Sequence, residues 1–258
     1  MRIDVRSRSA ALVRHLVQSH VWLTVSLVAL AFYMPATGPI FHALVPEAPR
    51  PVYTRASFVA LTLAHIELVA ISSLAAATIG IGLGVFVTRK SGREFAPFVG
   101  AIAAVGQTFP PVAVLALAIP ALGYGAAPTV AALTLYAVLP ILEGTITGLH
   151  AVPAPVRDAA SGLGFSDLDL LRCVDLPLAA PFILAGVHNA VIINIGTATI
   201  GSTIGAITLG SPIIEGLSAS NLAYVIQGAI LVALLAVVTD RWFAVLEAHF
   251  VSRAANLG

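Results

Sequence analysis

The segment at 154–177, APVRDAASGLGFSDLDLLRCVDLP, decides the fold of this chain. It holds four acids and two arginines, yet it interrupts a chain that is otherwise almost continuously apolar. Polar residues between two long apolar runs are typical of a membrane protein whose polar segment lies outside the bilayer.

Composition identifies the bilayer as the solvent of most of the chain. Of the 258 residues, 59% are hydrophobic and only 10% are charged, whereas a soluble domain carries about a quarter charged residues. The formal net charge is +1, without the basic patch that nucleic-acid binding requires. The single cysteine, Cys173, excludes an internal disulfide and a cysteine-based zinc site. We therefore predict no catalytic, cofactor or metal site.

Six apolar windows are long enough to span a bilayer, since a transmembrane helix needs about 20 mainly apolar residues. The second window contains Glu67 and His65, but its many Leu, Ile, Val and Phe residues outweigh the cost of one central acid, about 3 kcal/mol. We predict an all-α membrane protein with about six transmembrane helices, forming a single domain over residues 1–258. The windows are roughly 20–44, 58–87, 95–121, 126–149, 180–206 and 221–240.

The distribution of Lys and Arg predicts the orientation, because basic residues in short loops remain cytoplasmic. Only Arg50 and Arg55 fall on one side of the predicted spans. We therefore predict that both termini, the segment 1–19 and the segment 150–177 face the cytoplasm. The basic residues on that side are Arg2, Arg6, Arg8, Arg14, Arg89, Lys90, Arg93, Arg157, Arg172, Arg241 and Arg253.

Segment 154–177 is predicted to form two short helices joined by an elbow. Pro155 suits the first position of the first helix, and Gly164 suits a left-handed cap at its end. Ser166 and Asp169 form a capping box for the second helix, which Pro177 is expected to end. One apolar face of the first helix is formed by Val156, Ala159, Ala160 and Leu163.

A short amphipathic helix outside the bilayer is either a docking element or a helix that lies on lipid headgroups. The small side chains of Ala159 and Ala160 permit another protein surface to approach the helix backbone closely. The four acids of the segment are a poor match to an anionic lipid surface. These features favour docking of a protein partner.

Asp158-Ala159-Ala160, Gly164 and Leu176-Pro177 resemble, at these spacings, the EAA signature of ABC importer permeases. Asp158 stands where that signature usually has glutamate, and Val174 stands where isoleucine is common. The resemblance implies a type I ABC importer permease fold with a cytoplasmic coupling elbow. By this resemblance, the residues that couple to an ATPase are Arg157, Asp158, Ala159, Ala160, Leu163, Gly164, Phe165, Leu176 and Pro177.

Three of the predicted spans are similar to those of permeases that import osmoprotectants such as glycine betaine and choline. The chain departs from that subgroup at Glu143-Gly144 and at His188-Asn189, where Arg-Asn and Arg-Thr are usual. Both departures remove a fixed positive charge and leave the exact substrate open. The similar stretches are QTFP at 107–110, IP at 119–120 with Gly123, LYAVLPI at 135–141, IGTAT at 195–199 and IG at 204–205.

The resemblance also implies the partners of the chain. It implies two permease subunits, identical or paralogous, above a dimer of ABC ATPase subunits in a bacterial inner membrane. A solute-binding protein would deliver the substrate from outside, and ATP-driven closure of the ATPases would switch the pathway. The chain lacks a G-x-x-x-x-G-K-[ST] phosphate loop, so we expect ATP hydrolysis on a partner chain and no enzymatic activity here.

Polar residues inside spans are costly, so each is a candidate for the translocation path. For Gln107 the alternative is a kink whose free backbone groups are satisfied by neighbours. Glu143 is also expected to pair with an arginine of the elbow or a nearby loop, and Glu67 to hydrogen-bond His65 or another polar residue. The predicted path residues are Gln107, Pro110, Tyr136, Glu143, His188, Asn189, Asn194 and Thr197.

A second functional class remains open from the sequence alone. An ion-gradient-driven secondary transporter would need intramembrane acids as ion or proton sites, and Glu67 and Glu143 are the candidates. Uptake that persists without ATP would favour this alternative. A membrane-embedded hydrolase is a third class, but no convincing nucleophile–base or metal constellation supports it.

Overall fold

The computed structural model describes the chain from residue 20 to residue 255, and all regular structure in that range is helical. The predicted N-terminal segment 1–19 lies outside the described residues. The helices are α1 (His20–Leu44), α2 (Phe58–Thr88), α3 (Ala96–Thr108), α4 (Pro111–Leu122), α5 (Ala126–Ala151), α6 (Ala154–Gly162), α7 (Asp167–Ile204), α8 (Gly210–Ser218) and α9 (Leu222–Ala255).

Five of these helices, α1, α2, α5, α7 and α9, are long and apolar enough to cross a membrane. The window at 95–121 is not one straight span, because α3 and α4 meet at an angle of 99°. Pro110 and Pro111 explain the break: neither donates a backbone hydrogen bond, and Pro110 disfavours helical geometry at Phe109. Counting this bent pair as one span gives the predicted total of about six.

Close contacts between helices of the bundle depend on glycine. A Cβ atom on Gly84 would lie 2.6 Å from a side-chain carbon of Thr145, which joins α2 to α5. A Cβ atom on Gly186 would lie 2.6 Å from the carbonyl oxygen of Pro140, which joins α7 to α5. The helix backbones therefore touch where these residues have no side chain.

Helix α7 runs without interruption from the elbow through the bundle. The prediction that Pro177 ends a short second helix is wrong. One π-helical turn at Leu171–Asp175 precedes this proline, and the N–H of Leu176 donates to the carbonyl of Leu171. The wider turn shifts the hydrogen-bond register, so the missing N–H of Pro177 does not break the helix.

At the opposite end from the elbow, α7 gives way to irregular backbone. Residues Ala198–Ile204 are 3₁₀-helical, and Gly205 follows with a φ of +88°. We call residues 198–209 the broken segment. His65 is fully buried and ties this segment to α2: its Nδ1 accepts from the N–H of Leu209 at 3.3 Å, and its Nε2–H donates to the carbonyl of Ile195 at 3.0 Å.

The loop between α1 and α2 is fastened to α8 and α9 at the same end of the bundle. Arg55 pairs with Glu215 at 2.9 Å, and Gln227 accepts from the N–H of Tyr53 at 3.1 Å. Gln227 also donates to the carbonyl of Pro51 at 2.6 Å. Burial, and secondly the Glu215 carboxylate, raises the pKa of Tyr53, so its phenol stays neutral at physiological pH.

Candidate coupling site and translocation path

The first helix and the bend of the elbow form as the sequence predicts, with two local motifs at the bend. Gly164 adopts a φ of +88°, and the N–H of Phe165 donates to the carbonyl of Ala160 at 3.2 Å. Ser166 and Asp169 form the predicted capping box, since each side chain accepts from the other's backbone N–H. Pro155 lies one position further into α6 than predicted, at its second residue.

The predicted apolar face of α6 is divided between the bundle and the surface. Ala160 is buried against the bundle, whereas Ala159, Val156 and Leu163 are exposed. Leu163 is 80% exposed, and Phe165 and Leu168 continue the exposed apolar surface around the bend. Exposed large apolar side chains grouped in one place mark an interaction surface. We call Val156, Leu163, Phe165 and Leu168 the elbow surface.

The inner side of the elbow is fixed by a cluster of charges. Asp175 on α7 is almost completely buried, with a side chain that is 2% exposed. It accepts from Arg89 at the end of α2 at 2.8 Å and from Arg157 on α6 at 2.7 Å. Arg157 also donates to the carbonyl of Leu149 near the end of α5 at 2.5 Å. This Asp175 cluster joins four helices at one point.

The expected pairing of Glu143 with an elbow arginine is wrong. Arg157 is occupied by Asp175, and Glu143 lies exposed on α5 without a hydrogen bond or ion pair to any residue between 20 and 255. The sequence did contain one signal for the cluster, since Asp175 is an acid next to the apolar start of a span. Its partner Arg89 lies 86 residues away and could not be identified from spacing.

Three predicted path residues meet at the break between α3 and α4. Pro140 has no N–H, so the carbonyl of Tyr136, four residues earlier in α5, lacks its helical partner. Gln107 donates to this carbonyl at 2.7 Å, and the Tyr136 hydroxyl donates to the carbonyl of Phe109 just before Pro110. Gln107 therefore satisfies a carbonyl that Pro140 leaves free, and Tyr136 satisfies a carbonyl at the end of α3, which supports the kink interpretation of Gln107.

This arrangement gives a testable prediction. Replacing Gln107 with leucine leaves the Tyr136 carbonyl without a partner and should lower the unfolding free energy by about 2 kcal/mol. Thermal unfolding of the detergent-solubilised protein measures the loss. Thr108→Val is the matched control, because the Thr108 hydroxyl bonds only to Val105 of its own helix. Equal stability of the two variants would contradict the structural role, and lost transport at unchanged stability would indicate a path contact.

The polar residues of α7 have different surroundings. Asn194 is fully buried and donates to Ser72 at 3.2 Å and to Ser73 at 3.1 Å, which joins α7 to α2. Thr197 bonds to the carbonyl of Ile193 in its own helix at 2.9 Å. Asn189 is exposed, without a partner in the described part of the chain.

His188 joins α7 to α9 through two carboxylates. Its Nε2 lies 3.2 Å from Asp240, its Nδ1 lies 2.9 Å from Glu247, and its ring stacks on Phe243 at a centroid distance of 4.9 Å. These contacts hold α7 against α9.

The fold gives the class of protein. A bundle of membrane-spanning helices with a broken span and a projecting elbow is the fold of ABC importer permeases. An inward-facing structure of the MetNI methionine ABC transporter superimposes with a TM-score of 0.68, at 20% sequence identity, over 74% of this chain and 95% of that chain.

Sequence comparison gives the family. Residues 80–251 match the family described as "Binding-protein-dependent transport system inner membrane component". The osmoprotectant import permease protein OsmY of Salmonella typhimurium is 40% identical over 69% of this chain and 77% of its own length. The choline transport system permease protein OpuBB of Bacillus subtilis is 39% identical over 72% of this chain and 85% of its own. The chain therefore belongs to this family and is a multi-pass permease subunit of an ABC importer.

Membership of this family decides between the functional classes left open by the sequence alone. ABC importer permeases work with ATPase and binding-protein partners, and this chain is the transport component. The alternative of a secondary transporter driven through Glu67 and Glu143 is set aside by this finding.

Proposed function

We propose that this permease imports a small osmoprotectant, namely glycine betaine, choline or a related quaternary amine. The support comes from relatives named for osmoprotectant, choline and glycine betaine/carnitine/choline transport, which are 37–40% identical over about two thirds of the chain or more. On this proposal, a binding protein delivers the solute and a second copy or a paralogous permease completes the path. The binding protein meets the end of the bundle opposite the elbow.

The energy for transport enters through the elbow. The observation that carries this part of the proposal is the exposed elbow surface, in which Leu163 is 80% exposed beside Phe165 and Leu168. An ATPase subunit would cover these side chains, while the Asp175 cluster holds the opposite side of the elbow against the bundle. The coupling residues at 157–165 and 176–177 then transmit movement of the ATPase into α7.

The charge distribution sets the orientation in this proposal. The elbow, Arg89 and both termini face the cytoplasm of a bacterial cell, and Arg55 in the loop at 45–57 faces outward. Glu143 and Asn189, which are exposed without partners among residues 20–255, face the path. The other predicted path residues, namely Gln107, Pro110, Tyr136, His188, Asn194 and Thr197, lie on the helices that surround it.

A pair of glycine substitutions tests the coupling role of the elbow. Gly164 and Gly162 both have open space around an added Cβ atom, but only Gly164 has a positive φ. Valine at position 164 must either adopt a strained conformation, at a cost of about 1–2 kcal/mol, or change the bend. We expect Gly164→Val to reduce solute uptake by about tenfold or more, with normal membrane insertion.

Uptake of radiolabelled choline and glycine betaine by cells that express the whole transporter measures the effect. Co-purification of the ATPase shows whether docking is lost. Gly162→Val is the control and should retain uptake. Equal uptake by the two variants would refute a coupling function of the bend.

A further inference from the structure

Glu67 is the only acid in α2, and this helix contains no Lys or Arg. It lies nine residues after Phe58, which places it about 14 Å along the helix from its first residue. Its side chain is exposed and has no hydrogen bond or ion pair within the part of the chain that the structure describes. The expected bond to His65 is wrong, because both ring nitrogens of His65 bind backbone groups of Ile195 and Leu209.

An unpaired carboxylate at this depth is unfavourable against lipid tails. The exposed side of α2 at Glu67 therefore faces water or another polar surface in the assembled transporter. The apolar composition of the rest of α2 gives no other reason for an acid at this position.

A cavity of about 310 Å³ lies beside Glu67. Side chains of α2 and α5, among them Leu68, Ile71 and Val130, form its apolar walls. The third wall is the broken segment at Gly205–Ile207, where Gly205 has a φ of +88° and Ile207 is 61% exposed. We call this space the Glu67 cavity.

The broken segment packs against α2, a helix long and apolar enough to cross a membrane. Leu209 bonds to His65, which is seven residues into α2, or about 10 Å from its first residue. Irregular backbone is tolerated at such depth only where it is buried in protein or lines a polar or water-filled cavity. The carboxylate and the irregular backbone thus indicate independently that the Glu67 cavity is not filled by lipid.

We propose that Glu67 is the cation-selecting residue of the translocation path, and that its carboxylate faces the quaternary ammonium group of the solute in the Glu67 cavity. A quaternary ammonium group has no N–H to donate, so it is recognised by electrostatic attraction, to a carboxylate or an aromatic face, and by apolar contact. One carboxylate beside aliphatic walls supplies both. This proposal rests on the proposed function, because it assigns a site to the solute class named there.

The proposal makes a specific prediction about two solutes. Choline carries a net positive charge, whereas glycine betaine also carries a carboxylate that Glu67 repels. Removing the charge with Glu67→Gln should raise the KM for choline about tenfold and that for glycine betaine by about threefold or less. Glu67→Asp, which keeps the charge, should retain most of the preference for the cation.

The experiment measures uptake of both solutes by the complete transporter, with its ATPase and binding protein. Glu47→Gln is the control for a general surface-charge effect, because Glu47 is an exposed acid in the loop between α1 and α2. It should leave both KM values unchanged. If Glu67→Gln leaves the ratio of the KM for choline to the KM for glycine betaine unchanged, the assignment of Glu67 is wrong. That outcome leaves the proposed function standing. A wild-type transporter that carries neither solute would overturn the proposed function and this proposal with it.

A second readout does not depend on transport kinetics. In a Cys173→Ala background, Glu67→Cys should react with a water-soluble, positively charged thiol reagent about tenfold or more faster than Phe32→Cys. Phe32 is 67% exposed on α1, a helix with little buried surface, and serves as the lipid-facing control. Choline should slow the reaction at position 67. Equal, slow reaction of both cysteines would overturn the proposal.

Discussion

Asp175→Asn is expected to abolish most solute uptake while the transporter continues to hydrolyse ATP. The asparagine leaves Arg89 and Arg157 close together around a buried position without a counter-charge. Removing one member of a buried ionic cluster costs about 3 kcal/mol, and the partial exposure of both arginines places the loss at the lower end of the usual range. Helix α6 then loses its link through Asp175 to α7 and α2, so movement of the ATPase is no longer passed from α6 to the bundle.

The measurement compares solute uptake with ATP hydrolysis in the reconstituted transporter. Asp167→Asn is the control, because Asp167 is an exposed acid of the same segment without an ion pair among residues 20–255. A double-mutant cycle with Arg157→Met and Asp175→Leu tests whether the two side chains act together. If Asp175→Asn behaves like Asp167→Asn, the cluster has no part in coupling.

Gly186→Val is expected to prevent assembly of the transporter. An added Cβ atom at this position lies 2.6 Å from the carbonyl oxygen of Pro140 and 3.2 Å from the Cα atom of Ile141. Both contacts are with backbone, so α5 and α7 must separate, at a cost of about 3 kcal/mol. Because α5 and α7 form one of the main contacts in the bundle, the folded subunit should be almost lost from the membrane.

The amount of permease that co-purifies with its ATPase measures this effect. Gly196→Val is the matched control, since Gly196 lies on the same helix with no neighbouring atom within 4 Å of an added Cβ. It should assemble at the wild-type level. Normal assembly of Gly186→Val would show that the α5–α7 contact is looser than the structure indicates.

Local patterns predicted the local features well. The apolar windows gave the spans, Gly164 gave the left-handed bend, and Ser166 with Asp169 gave the capping box. Each of these depends on residues within a few positions of one another. Pro177 does not end the helix because the π turn before it shifts the hydrogen-bond register, and this turn is not visible in the residue pattern.

Interactions across the bundle could not be predicted in the same way. Pro140 implies that the carbonyl of Tyr136 needs a partner, but the sequence does not say that Gln107 provides it. Likewise, Glu143 and Asp175 are both acids near the elbow, and only the packing of α2 against α7 shows that Asp175 meets the arginines. Tertiary packing therefore decides which polar residues pair inside the membrane, and the sequence pattern does not show it.

The continuity of α7 has a mechanical consequence. The part of α7 before the broken segment, residues 167–197, is about 46 Å long, with one end in the elbow and the other beside the Glu67 cavity. On the coupling role proposed above, a displacement at the elbow end would be carried along one helix to the other end. Opening of the path on one side of the membrane would then be linked directly to closure on the other, which would prevent leakage of solute.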